Sequence, residues 1–384
     1  MRRLAQTTRL VSIVSASWLV GFPAFALDRS DVIPKVSQLA FTAVGNTLLV
    51  AHHYDDRVTG RLIGSSISEM RVADGHIATL VTSCDLRYDD VSPSPDDKLV
   101  GVIFTYTGSL VHGSFGAPRL FTGPQVVAVY PYDGMEGRPL WVDDDGKTVG
   151  SVSFGESADD LLYVAKKVPG EPGDGKGDNL VRVNLRSGEK KITSTNVNYV
   201  GKAQLVDRTH VLLLGRIPEK AALGNLAEFP DLADQPLITS MVVLLLDLES
   251  GTLTLHDANK QIDKRNRIRF QFAGVNHLSD GRLFIMSVDI SLAETRGSHI
   301  GLFRDGHVEY FMKLDDMARR FTVSPHGQQA AFVTSEKVEG LRDTFSDRLG
   351  IVDLKSGNIA RFDMTDDRFL GPVAAKCAAS TQPQ

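Results

Sequence analysis

The sequence has no charge excess of one sign, no long uninterrupted apolar run and none of the common catalytic signatures. Lys and Arg number 42 and Asp and Glu 47, a formal charge of −5, which argues against a general nucleic-acid binder. The one extended apolar run, Leu10 to Leu19, is interrupted by serines and followed by Gly21-Phe22-Pro23 and polar Asp28. A membrane-spanning helix needs about 20 apolar residues, so no anchor is expected. A G-x-S-x-G elbow, an H-E-x-x-H pair, a C-x-x-C-H motif and a Gly-rich phosphate loop are all missing, which removes the usual sequence marks of hydrolase, zinc, haem and nucleotide chemistry. What is there, 384 residues with 42% hydrophobic and 23% charged, excludes a disordered or fibrous chain and allows one large domain or two ordinary ones.

The first residues read as a targeting segment. Arg2, Arg3 and Arg9 precede the apolar run, and Ala24-Phe25-Ala26 puts small residues where a signal peptidase requires them. Cleavage is expected after Ala26, leaving 27–384 as one domain with 39 basic and 47 acidic residues. The Arg2-Arg3 pair leaves twin-arginine export as an alternative route. No Cys follows the apolar run, which disfavours a lipoprotein anchor, so the expected location is periplasmic or secreted. Two cysteines, Cys84 and Cys377, then face an oxidising compartment, and a disulfide between them is expected; two isolated buried thiols are the alternative. Such a bridge would contribute at most roughly 5 kcal/mol by chain-entropy reasoning.

A repeat fills the rest. Asp74-Gly75, Asp133-Gly134, Ser187-Gly188, Ser250-Gly251, Asp305-Gly306 and Ser356-Gly357 each separate two strand-like runs, with glycines 59, 54, 63, 55 and 51 residues apart. Glycine accepts the positive φ of a tight hairpin turn. A second hairpin precedes each, turning at Gly45-Asn46, Pro95-Asp96-Asp97, Ala158-Asp159-Asp160, Asp207-Arg208, Asp280-Gly281 and His326-Gly327. Each is followed by an apolar strand such as Thr47–Ala51, Leu99–Tyr106 or Leu283–Val288. Four antiparallel strands, a to d, repeated six times predict an all-β, six-bladed β-propeller, because radial stacking limits exposed sheet edges.

Val91-Ser92-Pro93-Ser94-Pro95-Asp96-Asp97-Lys98-Leu99 and Phe321-Thr322-Val323-Ser324-Pro325-His326-Gly327 resemble the F-S-P-D-G-K blade signature, with Leu278-Ser279-Asp280-Gly281-Arg282-Leu283 a weaker copy. The signature is that of TolB-like (WD40-like) propellers and of the propeller domains of prolyl-oligopeptidase-type peptidases. The resemblance covers roughly residues 36–368 and implies fold more than function, since propellers host many activities. The peptidases need an added hydrolase domain, whereas six blades here occupy the whole chain.

The a–b and c–d turns are tight and share one face; the b–c connections His53–Gly64, Thr107–Pro124, Lys166–Asp178, Arg216–Thr239, Asp289–Ser298 and Glu336–Asp347 build the other. Long loops on a rigid scaffold are where binding resides. Phe115, Arg119 and Phe121 stand in a Gly-rich loop, and Phe229 in a loop with near-helical apolar spacing. Acidic pairs recur in the d–a segments, at Asp89-Asp90, Asp143 to Asp145, Asp315-Asp316 and Asp366-Asp367, with Arg87, Arg319, Arg320 and Arg368 nearby. They form either local ion pairs or an acidic rim attracting a cation or basic partner. His52-His53 cannot share one ion from a regular strand, since neighbours point to opposite faces. The run Asp174 to Asn179 lacks the closing acid of a calcium loop. Two functions follow. The first is a non-catalytic exported propeller, without cofactor, that binds a protein or peptide of the cell envelope on its long-loop face. The alternative is a calcium-dependent lactonase or esterase in which Glu156, Asn198 and Asn276 converge at the channel mouth to hold Ca2+.

Overall fold

The computed structural model describes residues 29–377, apart from 108–109, 113–117, 121–124, 145–147, 167–176, 217–222, 234–240, 263–269, 290–296, 315 and 342–343. The expected targeting segment, 1–26, lies outside the described residues. Twenty-four strands form six four-stranded antiparallel blades. Blade 1 holds β1 (Val32–Phe41), β2 (Thr47–Asp56), β3 (Leu62–Arg71) and β4 (Ile77–Ser83). Blade 2 holds β5 (Leu86–Pro93), β6 (Leu99–Tyr106), β9 (Gln125–Pro131) and β10 (Trp141–Asp143); between its second and third strands β7 (Leu110–His112) and β8 (Pro118–Leu120) make a separate small hairpin. Blade 3 is β11 (Val149–Phe154), β12 (Asp160–Ala165), β13 (Asn179–Asn184) and β14 (Lys190–Ser194). Blade 4 is β15 (Val200–Leu205), β16 (His210–Arg216), β17 (Met241–Asp247) and β18 (Leu253–Leu255). Blade 5 is β19 (Phe270–His277), β20 (Leu283–Asp289), β21 (Gly297–Arg304) and β22 (His307–Leu314). Blade 6 is β23 (Ala318–Val323), β24 (Gln329–Lys337), β25 (Phe345–Asp353) and β26 (Ile359–Asp363). The inner strands β1, β5, β11, β15, β19 and β23 touch in succession, and β23 returns to β1 to close the ring.

Residue type explains the strand order. Second and third strands pack on both faces and carry continuous apolar runs, as in Leu48–Ala51 and Val242–Leu244, all buried. Outer strands such as β14 and β26 are largely exposed and correspondingly polar. Side chains from neighbouring blades interdigitate into apolar clusters, for example Ile103, Val129, Val152 and Leu161 between blades 2 and 3.

The turns follow a local chemistry. In blades 3, 4 and 6 an Asn or Asp ends the third strand, and its side-chain oxygen accepts the amides two and three residues on. Asn184, Asp247 and Asp353 do so at 2.6–3.1 Å. Gly188, Gly251 and Gly357 then take φ of 74°, 70° and 76°. In blade 2 the expected Asp133-Gly134 hairpin is instead a 3-10 turn, Tyr132–Gly134. The Ser of the blade signature is structural: Ser94 and Ser324 are buried, and their hydroxyls accept the amides of Leu99 and Gln329 across the a–b turn.

A second contact recurs at five of the six blade junctions. A polar side chain near the start of a third strand bonds the following blade's inner strand. Gln125 accepts the amide of Val149 (2.7 Å), Asp178 that of Val200 (2.7 Å), Ser298 that of Ala318 (2.6 Å) and Asp347 that of Val36 (2.8 Å), while Ser65 donates to the carbonyl of Leu86. Inner-strand amides at the channel edge have no ladder partner on that side, so these bonds satisfy them and lock blade to blade.

Every blade is drawn from one stretch of the chain, so among the described residues no strand exchange ties the ends of the ring together. Closure comes instead from α2 (Asp367–Cys377), which leaves blade 6 and packs on β3 and β4 of blade 1, burying Phe369, Leu370 and Val373. Cys377 at its end is bonded to Cys84, 293 residues away in sequence.

The loop face differs from expectation in detail. Strand β2 runs to Asp56 and β3 begins at Leu62, so His53 is a strand residue and the first b–c connection is only a turn. Of the apolar loop before β17, Leu223, Phe229 and Leu232 are buried against blade 4, with a short helix α1 (Pro230–Ala233). Phe229 is therefore core rather than a partner contact, since its burial against that blade is worth more than exposure to solvent.

Candidate functional site: the channel and its mouth

All six inner strands carry a β-bulge at the same height, between Val36 and Gln38, Tyr88 and Asp90, Val149 and Val152, Val200 and Lys202, Phe272 and Gly274, and Arg319 and Thr322. A bulge adds a residue and re-aims the side chain after it. Aligned on the bulges, the six blades present Gln38, Asp90, Ser151, Lys202, Gly274 and Arg320 at one equivalent position.

Asp90 is buried, accepts the amides of Val91 (2.8 Å) and Val152 (3.0 Å), and is raised to about 6 by burial against the opposing pull of those bonds, of Gln38 and of Arg320. Lys202 donates to the carbonyl of Val275 at 2.9 Å, and burial lowers its ammonium to about 8 although Asp90 opposes the fall. Asp90, Lys202 and Arg320 belong to blades 2, 4 and 6. Alternate blades do not touch, so charges that act on one another from these positions meet across the axis.

Toward the long-loop face the channel widens into a charged mouth. Arg87 pairs with Asp89 at 2.6 Å, and Asp89 also takes bonds from Thr105 and Gln125. Arg319 grips both oxygens of Asp347 at 2.6 and 2.7 Å. Lys35 donates to the carbonyl of Phe345, and burial lowers its pKa. Asp55, mostly buried, is pushed up to about 6 by desolvation, against Lys35 and Arg87.

Ser37, His53 and Asp55 are arranged in the order of a hydrolytic triad, with Ser37 Oγ 3.1 Å from His53 Nδ1 and His53 Nε2 4.0 Å from Asp55. The arrangement cannot act as one. Ser37 is buried, and burial together with Arg87, Lys35 and Arg319 drives His53 down to about 3. Asp55 also stands beyond hydrogen-bond reach of His53, so nothing orients the ring as a relay, and an imidazolium there would sit among three cations.

Exposed large side chains mark the same face. Tyr106 ends β6, Tyr199 and Met317 immediately precede β15 and β23, and Phe345 begins β25; all are more than a third exposed. Lys166 and Arg216 stack over the Tyr199 ring at 4.1 and 5.4 Å. The tight-turn face has no exposed aromatic among the described residues; its exposed apolar side chains are Val44 and Leu140. A cavity of about 440 Å³ does open there between blades 3 and 4, beside Glu156, Asp160, Arg182, Lys191 and Arg208. Four of its charges pair with one another, Arg182 holding Asp160 through two bonds of 2.8 Å and Arg208 lying 3.6 Å from Glu156, while Lys191 reaches the carbonyl of Leu248 at 3.4 Å.

The acidic residues do not form a rim. Asp89 and Asp90 stand inside the inner strand β5; Asp143 is buried against Tyr163 and Lys190; Asp316 pairs with Arg361 at 2.9 Å and Asp366 with Arg368 at 2.9 Å. Each of these carboxylates has a bonding partner of its own. Glu156 and Asn198 fall on opposite faces of the ring, in the a–b turn of blade 3 and the segment before β15, while Asn276 is buried within β19. The three therefore do not converge, because one residue of strand phase or one turn moves a side chain to the other face. Among the described residues no three His, Cys, Asp or Glu side chains group as metal ligands. Phe115, Phe121 and Asp315 lie outside the described residues, and Arg119 is placed only as part of β8.

Lys202 was not among the sequence candidates, and Arg320 stood there only as a neighbour of the acidic pairs. Aligning the six repeats on the apolar residue of the blade signature would have found them, as the residue just before it in each blade.

No protein-family model matches this chain, and no curated protein does. Solved structures similar in fold include a puromycin-hydrolysing peptidase from Mycobacterium tuberculosis, at 12% identity and TM-score 0.49, over 89% of this chain and 55% of that one. TolB from Acinetobacter baumannii is similar at 11% identity and TM-score 0.49, over 86% and 78% of the two chains. An acylaminoacyl peptidase from Pyrococcus horikoshii is similar at 11% identity and TM-score 0.48, over 89% and 46%. The chain thus spans about half the length of each peptidase, and the likeness to all three is one of propeller fold.

Proposed function

We propose that this propeller is an exported, non-catalytic binding protein that receives a protein or peptide partner over the channel mouth on its long-loop face. The observation that carries the reading is the grouping of exposed Tyr106, Tyr199, Met317 and Phe345 at the loop-face ends of strands, around a mouth lined by Lys35, Arg87 and Arg319. Aromatic anchors beside arginines are the residue types that dominate interface energetics. Binding rather than hydrolysis is favoured because, in the Ser-His-Asp arrangement found among the described residues, Ser37 is buried and Asp55 stands 4.0 Å from His53, beyond hydrogen-bond reach. The disulfide agrees with an oxidising compartment outside the cytoplasm.

Native mass spectrometry of the protein isolated from its own cells tests this. A stoichiometric co-purified polypeptide, lost from the Tyr106→Ser/Phe345→Ser double variant while the melting temperature holds, is the expected result. A partner-free protein carrying one calcium-sized adduct would contradict it and favour metal-dependent hydrolysis.

A further inference from the structure

The centre of the channel holds two cations that the fold leaves unspent. Around it the basic residues are committed: Arg87 to Asp89, Arg319 to both oxygens of Asp347, and Lys35 to the carbonyl of Phe345. Arg320 is different. It is exposed, and its side chain makes no hydrogen bond or ion pair with any described residue. Its backbone stands at φ 54°, a left-handed conformation that arginine rarely adopts. The bulge therefore turns Arg320 away from the sheet in which its neighbour Arg319 is held. Lys202, two blades away, bonds only the neutral carbonyl of Val275, and the carboxylate that acts on its charge, Asp90, acts on Arg320 as well, so one anion faces two cations.

The one carboxylate at this level is Asp90, and two backbone amides already occupy it. The six equivalent positions, Gln38, Asp90, Ser151, Lys202, Gly274 and Arg320, thus sum to one positive charge at the axis of a protein whose formal charge is −5. Low-dielectric walls concentrate the field of such a charge. A single excess charge suits a monovalent anion, and a planar guanidinium matches the two oxygens of a carboxylate. A phosphate dianion would be opposed by Asp90.

We propose that the channel centre is a binding site for one carboxylate group, gripped by Arg320 and supported by Lys202. The carboxylate is that of a small free acid or of a peptide end or acidic side chain entering from the loop face. The site does not depend on what docks at the rim, which the Tyr106 and Phe345 substitutions test separately.

Titration calorimetry on the folded protein, with acetate, succinate, and a tetrapeptide as free acid and as C-terminal amide, decides it. At least one carboxylate probe should bind one-to-one, and the amide should not. Arg320→Asn, which keeps a residue tolerant of left-handed backbone, should weaken binding at least tenfold with an unchanged or higher melting temperature; Lys202→Met should weaken it as well. Equal binding of succinate and the free-acid peptide identifies a small acid as sufficient, whereas binding of the free-acid peptide alone identifies a chain end. No carboxylate binding, equal binding of acid and amide, or full affinity in Arg320→Asn would overturn the assignment.

Discussion

Asp347, in the third strand of the last blade, accepts the backbone amide of Val36, in the inner strand of the first, at 2.8 Å. The same carboxylate, fully buried, also holds Arg319 and the hydroxyl of Ser335. It is the most heavily bonded of the blade-to-blade contacts, and it stands where the ring must close without a shared strand.

Removing that carboxylate strands a guanidinium and an amide together. Asp347→Ala is expected to cost about 2–3 kcal/mol, from the stranded Val36 amide and the lost charge-assisted bonds, and less than a fully buried pair would because Arg319 is half-exposed. Asp347→Asn should cost less, because its carbonyl still accepts from Val36. Urea unfolding measures both; a loss under about 1 kcal/mol for the alanine variant would mean the contact is incidental.

The Cys84–Cys377 bond carries the other half of closure. Reduction, or Cys84→Ser with Cys377→Ser, should lower the melting temperature by several degrees, the chain-entropy bound being roughly 5–6 kcal/mol for so long a loop. Hydrogen exchange should rise first in residues 367–377. An unchanged melt would show that the apolar seat of α2 suffices by itself.

Gly64 makes that seat possible. A Cβ there would come within 2.8 Å of Val373 and 2.9 Å of Cys377 Sγ, so only glycine lets the helix lie against β3. Gly64→Val should destabilise by about 1–3 kcal/mol through overpacking and speed reduction of the disulfide. Normal reduction kinetics in a destabilised variant would place the damage elsewhere in blade 1.

Two buried groups should give opposite pH signatures. His52, with Nε2 3.0 Å from Ser68 and its ring edge-on to Tyr54 and Phe369, is held neutral by burial, its pKa down from 6.5 to about 3. The folded state then binds fewer protons than the unfolded one. The contribution of His52 is present above pH 6.5 and fades as pH falls toward 3. The stability gap between wild type and His52→Asn should narrow by roughly 3 kcal/mol from pH 7 to pH 4. Asp90, raised from 3.8 to about 6, behaves in reverse: its contribution is greatest below pH 3.8 and is lost as pH rises through 6. The gap to Asp90→Asn should therefore widen by roughly 2 kcal/mol over the same fall. Denaturant titrations at both pH values read the signs, and like signs would refute the assignments.

The propeller was legible because its information is local and repeated. Ser187-Gly188, Ser250-Gly251 and Ser356-Gly357 fix hairpins through one glycine and one side chain, and the apolar runs after Gly45 or His326 state their burial directly. The site was not legible in the same way. Asp89 and Asp90 read as loop acids, but they belong to β5, and a bulge between Tyr88 and Asp90 decides which of them faces the channel. Phe229 reads from its spacing either as a partner contact or as packing on its own blade, and it is Leu223 and Leu232 that carry it onto blade 4. Arg319 and Arg320 are adjacent in sequence, and only the left-handed backbone at Arg320 separates a structural arginine from an uncommitted one. Such distinctions depend on strand phase and on blades two apart, which spacing alone does not encode.

The central claim is that the long-loop face is the working face. Site-specific photocrosslinking in the source cells tests it most directly, with the reactive side chain placed at Phe345 on the mouth, at Ser187 on the tight-turn face and at Ile359 on the outer edge. The account predicts one discrete adduct from Phe345 and none from Ser187 or Ile359. A discrete adduct from Ser187 with none from Phe345 would contradict it.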